Sequence, residues 1–334
     1  MCLDPISRRR FLQFTAVGVA ASASVAQAPS VAEAQQPAAP SRPQDQMTAG
    51  MIDFHVHTYP DNFDRTVSAV DAAQGARERG LKAIVLKGGA FETVTRATQA
   101  NAAVPGIKVF GGVVMNWPTG GINPAAVEAM AVFRGGGADK LGKVVWLPSL
   151  NSRNHHQRFK IPTPPVEVFD GTKLVPAMQE VLKLCAKHDL VLETCHLAPQ
   201  EAIALIKEAR AAGVQKIVCT HADYDPINMS IDEQREAAKL GAFIEHAYIG
   251  VYLGPHSAVP RFQSWRGASV EQMAAAIKAV GTQHSILASD MGAAPLDLPI
   301  NGFVAFIKRL GGLGVTDAQL DEMTRKNPSA LLGI

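Results

Sequence analysis

The stretch Ile52 to Asp61, IDFHVHTYPD, sets two imidazoles one residue apart inside an apolar run. Further side chains able to bind a cation or move a proton stand where other short apolar runs stop. Lys87 closes LKAIVLK, His196 closes LVLETCH, His221 closes QKIVCTH and Asp290 closes HSILASD, while Glu245 and His246 sit near the end of AFIEHAY. Imidazole nitrogens with a carboxylate make a donor set suited to Zn²⁺ or a similar divalent ion. Taken singly, each histidine is more often a satisfied core or mouth residue than a ligand. His55, His57, His196, His221 and Asp290 together favour a metal.

The elements that must position these residues follow from the spacing of apolar residues. Eight short β-branched runs begin with MIDFHVH, LKAIVLK, IKVFGGVVM and GKVVWLPSL and continue with LVLETCH, QKIVCTH, AFIEHAY and HSILASD. Between them lie stretches such as TVSAVDAAQGARERG, PAMQEVLKLCAKHD and PQEAIALIKEARAAG, with apolar residues three and four apart and Gly or Asp at the end, as in amphipathic helices. Strand and helix alternating eight times predict an α/β fold, a closed (β/α)8 TIM barrel, with an open doubly wound sheet as the alternative. No GxGxxG follows the first run, which weakens the dinucleotide-binding form of that alternative. Alternation along a strand sends Ile52, Phe54 and Val56 to the helix layer and Asp53, His55 and His57 to the barrel axis. The histidine pair then lies at the C-terminal end of its strand, where such barrels keep their active sites.

The start of the chain reads differently. SRRRFLQFTAVGVAASASVAQA has Arg8, Arg9 and Arg10 ahead of a short apolar run and small-residue cleavage sites, and Ser7 to Leu12 is similar to the twin-arginine export pattern. The predicted organisation is a signal peptide over 1–34, a flexible leader rich in Ala, Gln and Pro over 35–50, and the barrel with its C-terminal helix over 51–334. That organisation implies handling by the twin-arginine export machinery, a periplasmic or secreted product and no stable membrane anchor. A net charge of +2 with no basic cluster in the body of the chain leaves no footprint for nucleic acid, so a small-molecule substrate is the expected partner. An oligomer is compatible with everything read so far. Composition, 47% hydrophobic and 19% charged, provides for a large core. Cys185, Cys195 and Cys219 show no framework or CxxC spacing and read as buried small hydrophobes, without an obligatory disulfide.

His55-Val56-His57 after the first strand, His196 after the fifth, His221 after the sixth and Asp290 after the eighth resemble the signature of the amidohydrolase superfamily of metal-dependent hydrolases. The tail MTRKNPSALLGI is similar to the closing helix of many members, so the likeness runs over 51–334. The resemblance implies that His55 and His57 bind the metal with His196 or Asp290, and that Asp290 exchanges the proton of the attacking water. It also implies that His221 holds a second metal or polarises the substrate carbonyl. The fourth run ends in VVWLPSL without Lys or Glu, and Glu193 has the parity opposite to His196, so no bridging ligand is evident and one ion is favoured over two. Lys87 has the inward parity; it reads as a cation that stabilises a substrate anion, as an unusual carbamate, or as a snorkelling rim lysine.

A divalent ion brings the pKa of water from 15.7 towards about 7 and polarises a carbonyl or phosphoryl oxygen, which points to hydrolysis of an amide, lactone, ester or phosphoester. A decarboxylase or lyase on the same barrel and a non-enzymatic exported binding protein are the alternatives. The loops over the mouth are expected to choose the substrate. Candidates are Arg65 after the first strand, His155 and His156 in NSRNHHQRFKIPTPP after the fourth, and Tyr252 and His256 after the seventh.

Overall fold

The computed structural model describes residues 47–135 and 140–334. The export signal and most of the leader lie outside the described residues. From Met47 the chain packs: Thr48 is buried and donates to the Arg79 carbonyl at 2.6 Å, and Arg325 donates to the Ala49 carbonyl at 2.8 Å.

Eight parallel strands form a nearly closed barrel in sequential order, so the chain is an α/β protein of the (β/α)8 class. They are β1 (Ile52–His57), β2 (Ala83–Lys87), β3 (Lys108–Val114), β4 (Gly142–Trp146), β5 (Val191–Glu193), β6 (Lys216–Cys219), β7 (Phe243–Ala247) and β8 (Ser285–Ala288). Each of the eight runs read from the sequence contains one of them. Crossovers between parallel neighbours carry the helices α1 (Ala69–Glu78), α2 (Val94–Ala103), α3 (Pro124–Ala131), α4 (Arg153–Phe159), α5 (Pro176–His188), α6 (Pro199–Ala211), α7 (Ile231–Lys239) and α8 (Val270–Val280), and α9 (Pro299–Gly312) follows β8. Side-chain caps start several of them: Ser68 accepts from Asp71 N, and Ser230 with Glu233 and Ser269 with Gln272 form capping boxes. The apolar set Ile52, Phe54 and Val56 is fully buried, as the alternation predicts. A small antiparallel hairpin, Phe169–Asp170 with Lys173–Leu174, interrupts the pattern between β4 and β5. No helix among the described residues is long and apolar enough to cross a membrane. Cys185, Cys195 and Cys219 are all buried.

Closure is made by the turn beyond β8 and not by β8 alone. Asp290 N donates to the His55 carbonyl at 2.9 Å, His57 N donates to the Met291 carbonyl at 2.9 Å, and Val56 bridges Met291 in parallel. Ser289 N donates to Asp53 Oδ1 at 2.8 Å, so a side chain of β1 also holds the seam. Gly292 follows with φ +121°, and a Cβ there would stand 2.0 Å from the His57 carbonyl oxygen. Only glycine fits that approach.

Two stability predictions come from the seam. Gly292→Ala should cost at least about 1–3 kcal/mol, since it adds a backbone clash to an unfavourable φ. Thermal melting checks this, and an unchanged midpoint would mean that the closing turn tolerates a side chain. The second concerns pH. Burial pushes the Asp53 carboxyl from 3.8 up to about 7, and the hydrogen bonds from Ser289 and His55 only partly offset it. The folded state therefore keeps a proton that the unfolded chain releases above 3.8. Stability from this group is whole below that pH and is lost as pH rises through about 7. Asp53→Asn keeps the shape and removes the ionisation, so the difference in midpoint between variant and wild type should move in the variant's favour from pH 4 to pH 7. Parallel profiles over that range would contradict it.

Candidate metal centre and active site

Three donor atoms converge at the C-terminal mouth of the barrel. His55 Nε2 and His57 Nε2 each lie 3.0 Å from Asp290 Oδ1. Their other ring nitrogens are already engaged, His55 Nδ1 with Glu245 Oε1 at 3.0 Å and His57 Nδ1 with the Lys87 carbonyl at 3.0 Å. The Lys87 carbonyl can only accept, and Glu245 Oε1 also accepts from His221 N at 3.1 Å, so each Nδ1 carries the proton and each Nε2 presents a lone pair. Burial lowers both imidazoles to about 3, which leaves them neutral near pH 7. Burial opposes ionisation of Asp290, but its contacts with His55, His57 and His221 win and hold its carboxyl well below the usual range.

Three lone pairs thus face one another with no proton between them, and His55 Nε2 is a buried atom with no hydrogen-bond partner. A cation relieves this arrangement. The separations suit atoms sharing one ion at ligand distances of about 2.0–2.2 Å, and the Glu245–His55 contact is the kind of outer support that orients a ligating imidazole. The residues present therefore fit a divalent metal.

His196 and His221 stand one ring further away. Neither joins a group of three convergent donors; His221 lies 6.0 Å from His55 between ring centroids, and His196 lies 5.0 Å from His221. His196 Nδ1 meets His155 Nδ1 at 3.0 Å. Cys195, His221 and Asp290, at the ends of β5, β6 and β8, all have positive φ, 51°, 30° and 51°. Such left-handed backbone in non-glycine residues costs on the order of 1–3 kcal/mol each and concentrates at functional sites.

Beneath the convergent donors lies a buried layer of charge. Glu193 and Glu245 are fully buried, and each can join His55 in a second group of three donors. Burial raises both carboxyls, Glu245 to about 8. Lys87 is 4% exposed, which rules out a snorkelling rim lysine. Although burial opposes its charge, Cys195, Asp290, Glu193 and Glu245 raise its pKa, so it is held as an ammonium. A carbamate needs the neutral amine, and this setting disfavours that form.

Glu193 corrects the parity argument made from the sequence. Counting in twos from His196 sends it outward, but the chain turns at Cys195, so the alternation does not carry through and Glu193 faces the interior. Its Oε2 accepts from Thr220 Oγ1 at 2.8 Å. Tyr224 is a second residue that sequence reasoning missed. Its hydroxyl donates to Asp290 Oδ2 at 2.7 Å and its ring stacks on His221 at 4.9 Å. Burial, then the charge of Asp290, push the phenol well above its usual pKa and keep it a donor. His246 turns away, with Nδ1 2.8 Å from Asp223 Oδ2.

A cavity of about 500 Å³ opens over this floor and is lined by His57, Lys87, His196, His221 and Asp290 at its base. Of the residues expected to bind substrate, Arg65, His155 and His156 line it. Ser152 caps α4 and accepts from His155 N, which turns the two histidines inward, while Arg153 pairs with Glu167 and Glu201 and Arg158 with Asp225. Arg65 is committed to Asp61 at 2.7 Å. Tyr252 and His256 are outside the cavity, contrary to expectation. The chain after β7 coils into a 3-10 turn, Tyr248–Tyr252, that sends Tyr252 against the Tyr248 ring, and His256 is exposed and bonded to the Val251 carbonyl of its own loop. That loop instead contributes Arg261, Phe262 and Trp265 to the wall.

The model of a family of unknown function, DUF6282, matches residues 50–245. No protein of curated function matches the chain. Similar solved structures include an organophosphorus hydrolase from Deinococcus radiodurans, at 15% identity and TM-score 0.54, covering 86% of this chain and 93% of that one. An amidohydrolase from Pseudomonas aeruginosa is 12% identical with TM-score 0.54, over 86% of this chain and 97% of its own. A Pseudomonas putida protein proposed as a 2-pyrone-4,6-dicarboxylic acid hydrolase is 14% identical with TM-score 0.52, over 85% and 97%. At these identities the likeness carries the fold alone.

Proposed function

The chain belongs to the DUF6282 family of unknown function, and we propose that it is a metal-dependent hydrolase of a small molecule, using one divalent ion, zinc for preference. The observation that carries this reading is the meeting of two unprotonated Nε2 atoms with Asp290 Oδ1 at 3.0 Å. His55, His57 and Asp290 would hold the ion, with His196 or His221 as a further ligand. The names of the structural neighbours, an organophosphorus hydrolase and an amidohydrolase, support the same class. The Ser7 to Leu12 pattern supports export through the twin-arginine route.

When bound, the ion supplies Lewis acidity that brings water towards a pKa of about 7 and polarises a carbonyl or phosphoryl oxygen. The chain's own residues do the rest. Oδ1 of Asp290 faces the imidazoles that would hold the ion, so Oδ2, oriented by the Tyr224 hydroxyl, would take the proton of the attacking water and return it to the departing heteroatom. The water oxygen joins the acyl or phosphoryl centre as its bond to that heteroatom breaks. His221 as a donor and Lys87 as a cation line the same cavity, where they oppose the negative charge that develops on the polarised oxygen.

The test is turnover of lactones, amides, esters and phosphotriesters by the metal-analysed protein. His55→Ala and His57→Ala should lose the ion and nearly all turnover with circular dichroism unchanged, because both imidazoles stand at the C-terminal end of β1 and neither belongs to the apolar core. Asp290→Asn should lower turnover at least about 10²-fold even when reloaded with metal. Full metal occupancy in either histidine variant would remove it from the ligand set. A loss within about threefold for Asp290→Asn would remove its proton role, and release of carbon dioxide in place of a hydrolysed product would replace hydrolysis with decarboxylation.

A further inference from the structure

Most arginines near the mouth already have partners. Arg65 is bonded to Asp61, Arg158 to Asp225, and Arg96 to the Thr58 and Pro60 carbonyls. Arg261 is different. It lies on the 3-10 turn Pro260–Phe262, lines the cavity and is partly buried, yet it makes no hydrogen bond and no ion pair among the described residues. Its guanidinium sits 4.2 Å from the Phe63 ring centroid and 4.7 Å from that of Phe262. Two aromatic rings thus contact the guanidinium without accepting its N–H groups as a carboxylate would. Burial, then Arg65, lower its pKa to about 10, so it remains charged at neutrality. A half-desolvated cation without an acceptor is unfavourable, and a bound anion would supply the missing one.

The same cavity carries aromatic and aliphatic side chains. Phe159 and Trp265 stack at 4.9 Å with an interplanar angle of 29°, and Ile161 and Leu253 line the cavity with them. A planar guanidinium edge matches a carboxylate bidentately, and a cavity of about 500 Å³ admits a ligand of one or two rings.

We propose that the substrate is a planar, unsaturated or aromatic carboxylate whose anionic group is read by Arg261 while its scissile bond lies at Asp290. This rests on the hydrolase reading for the second half only, and the binding half is testable without turnover. The probes are benzoate and its neutral isostere benzamide, titrated by tryptophan fluorescence into the full-length protein carrying its measured metal content. Wild type should bind benzoate about tenfold or more tighter than benzamide, the discrimination expected of a charge-assisted pair. Arg261→Met should lose that factor while keeping benzamide affinity, metal content and circular dichroism, and Arg261→Lys should recover only part of it because the fork is gone.

Equal affinity for the two probes, no benzoate binding, or unchanged benzoate affinity in Arg261→Met would overturn the proposal. The last result would place the carboxylate on the metal instead. Preference for benzoate in a protein that hydrolyses nothing would leave Arg261's role standing and fail the hydrolase reading. Hydrolysis of neutral esters without any preference for benzoate would do the reverse.

Discussion

The seam between the first and last strands is the constraint on which the rest depends. The backbone bond from Asp290 N to the His55 carbonyl and the one from His57 N to the Met291 carbonyl close the barrel. Three of these four residues, His55, His57 and Asp290, turn their side chains to one point above that seam. Closing the barrel and gathering the donor set are therefore one event, and neither needs a loop to move. Gly292 and the left-handed Asp290 allow the chain to turn sharply enough for both.

Below the seam, burial decides which groups carry charge. Glu193, Glu245, Asp53 and Asp290 bring four carboxyls into one region of the barrel interior, with Lys87 the ammonium that faces three of them. Burial protonates some of these acids, and the Glu245 contact gives His55 the tautomer in which Nε2 is a bare lone pair. What stays without a partner is the Nε2 lone pair of His55, facing Asp290. Tyr224 adds direction, since it engages one oxygen of Asp290 and leaves the other on the side of the convergent imidazoles.

Much of this was legible in the sequence because it depends on period and position. Eight apolar runs alternating with amphipathic helices specify the barrel, and a strand period of two places His55 and His57 on the axis while Phe54 goes to the helix layer. The residues that escaped are those governed by turns. Alternation extended through Cys195 sends Glu193 outward, but the positive φ of Cys195 breaks that alternation. Tyr224 follows His221 by three positions in an irregular segment, where no periodicity says which way a ring points. Tyr252 and His256 were drawn to the mouth by their place after β7, but the local 3-10 turn sends Arg261 and Trp265 there in their stead. Long-range partners such as Glu245 with His55, 190 residues apart, need the closed barrel before they can be seen.

On the proposed function, one divalent ion belongs between His55, His57 and Asp290. Crystals of the protein soaked in or grown with Zn²⁺, measured on either side of the zinc absorption edge, test it most directly. The expected result is a single anomalous peak within about 2.0–2.2 Å of His55 Nε2, His57 Nε2 and Asp290 Oδ1. A fully occupied peak elsewhere, or a mouth that stays free of anomalous signal with these three side chains in place, would contradict it.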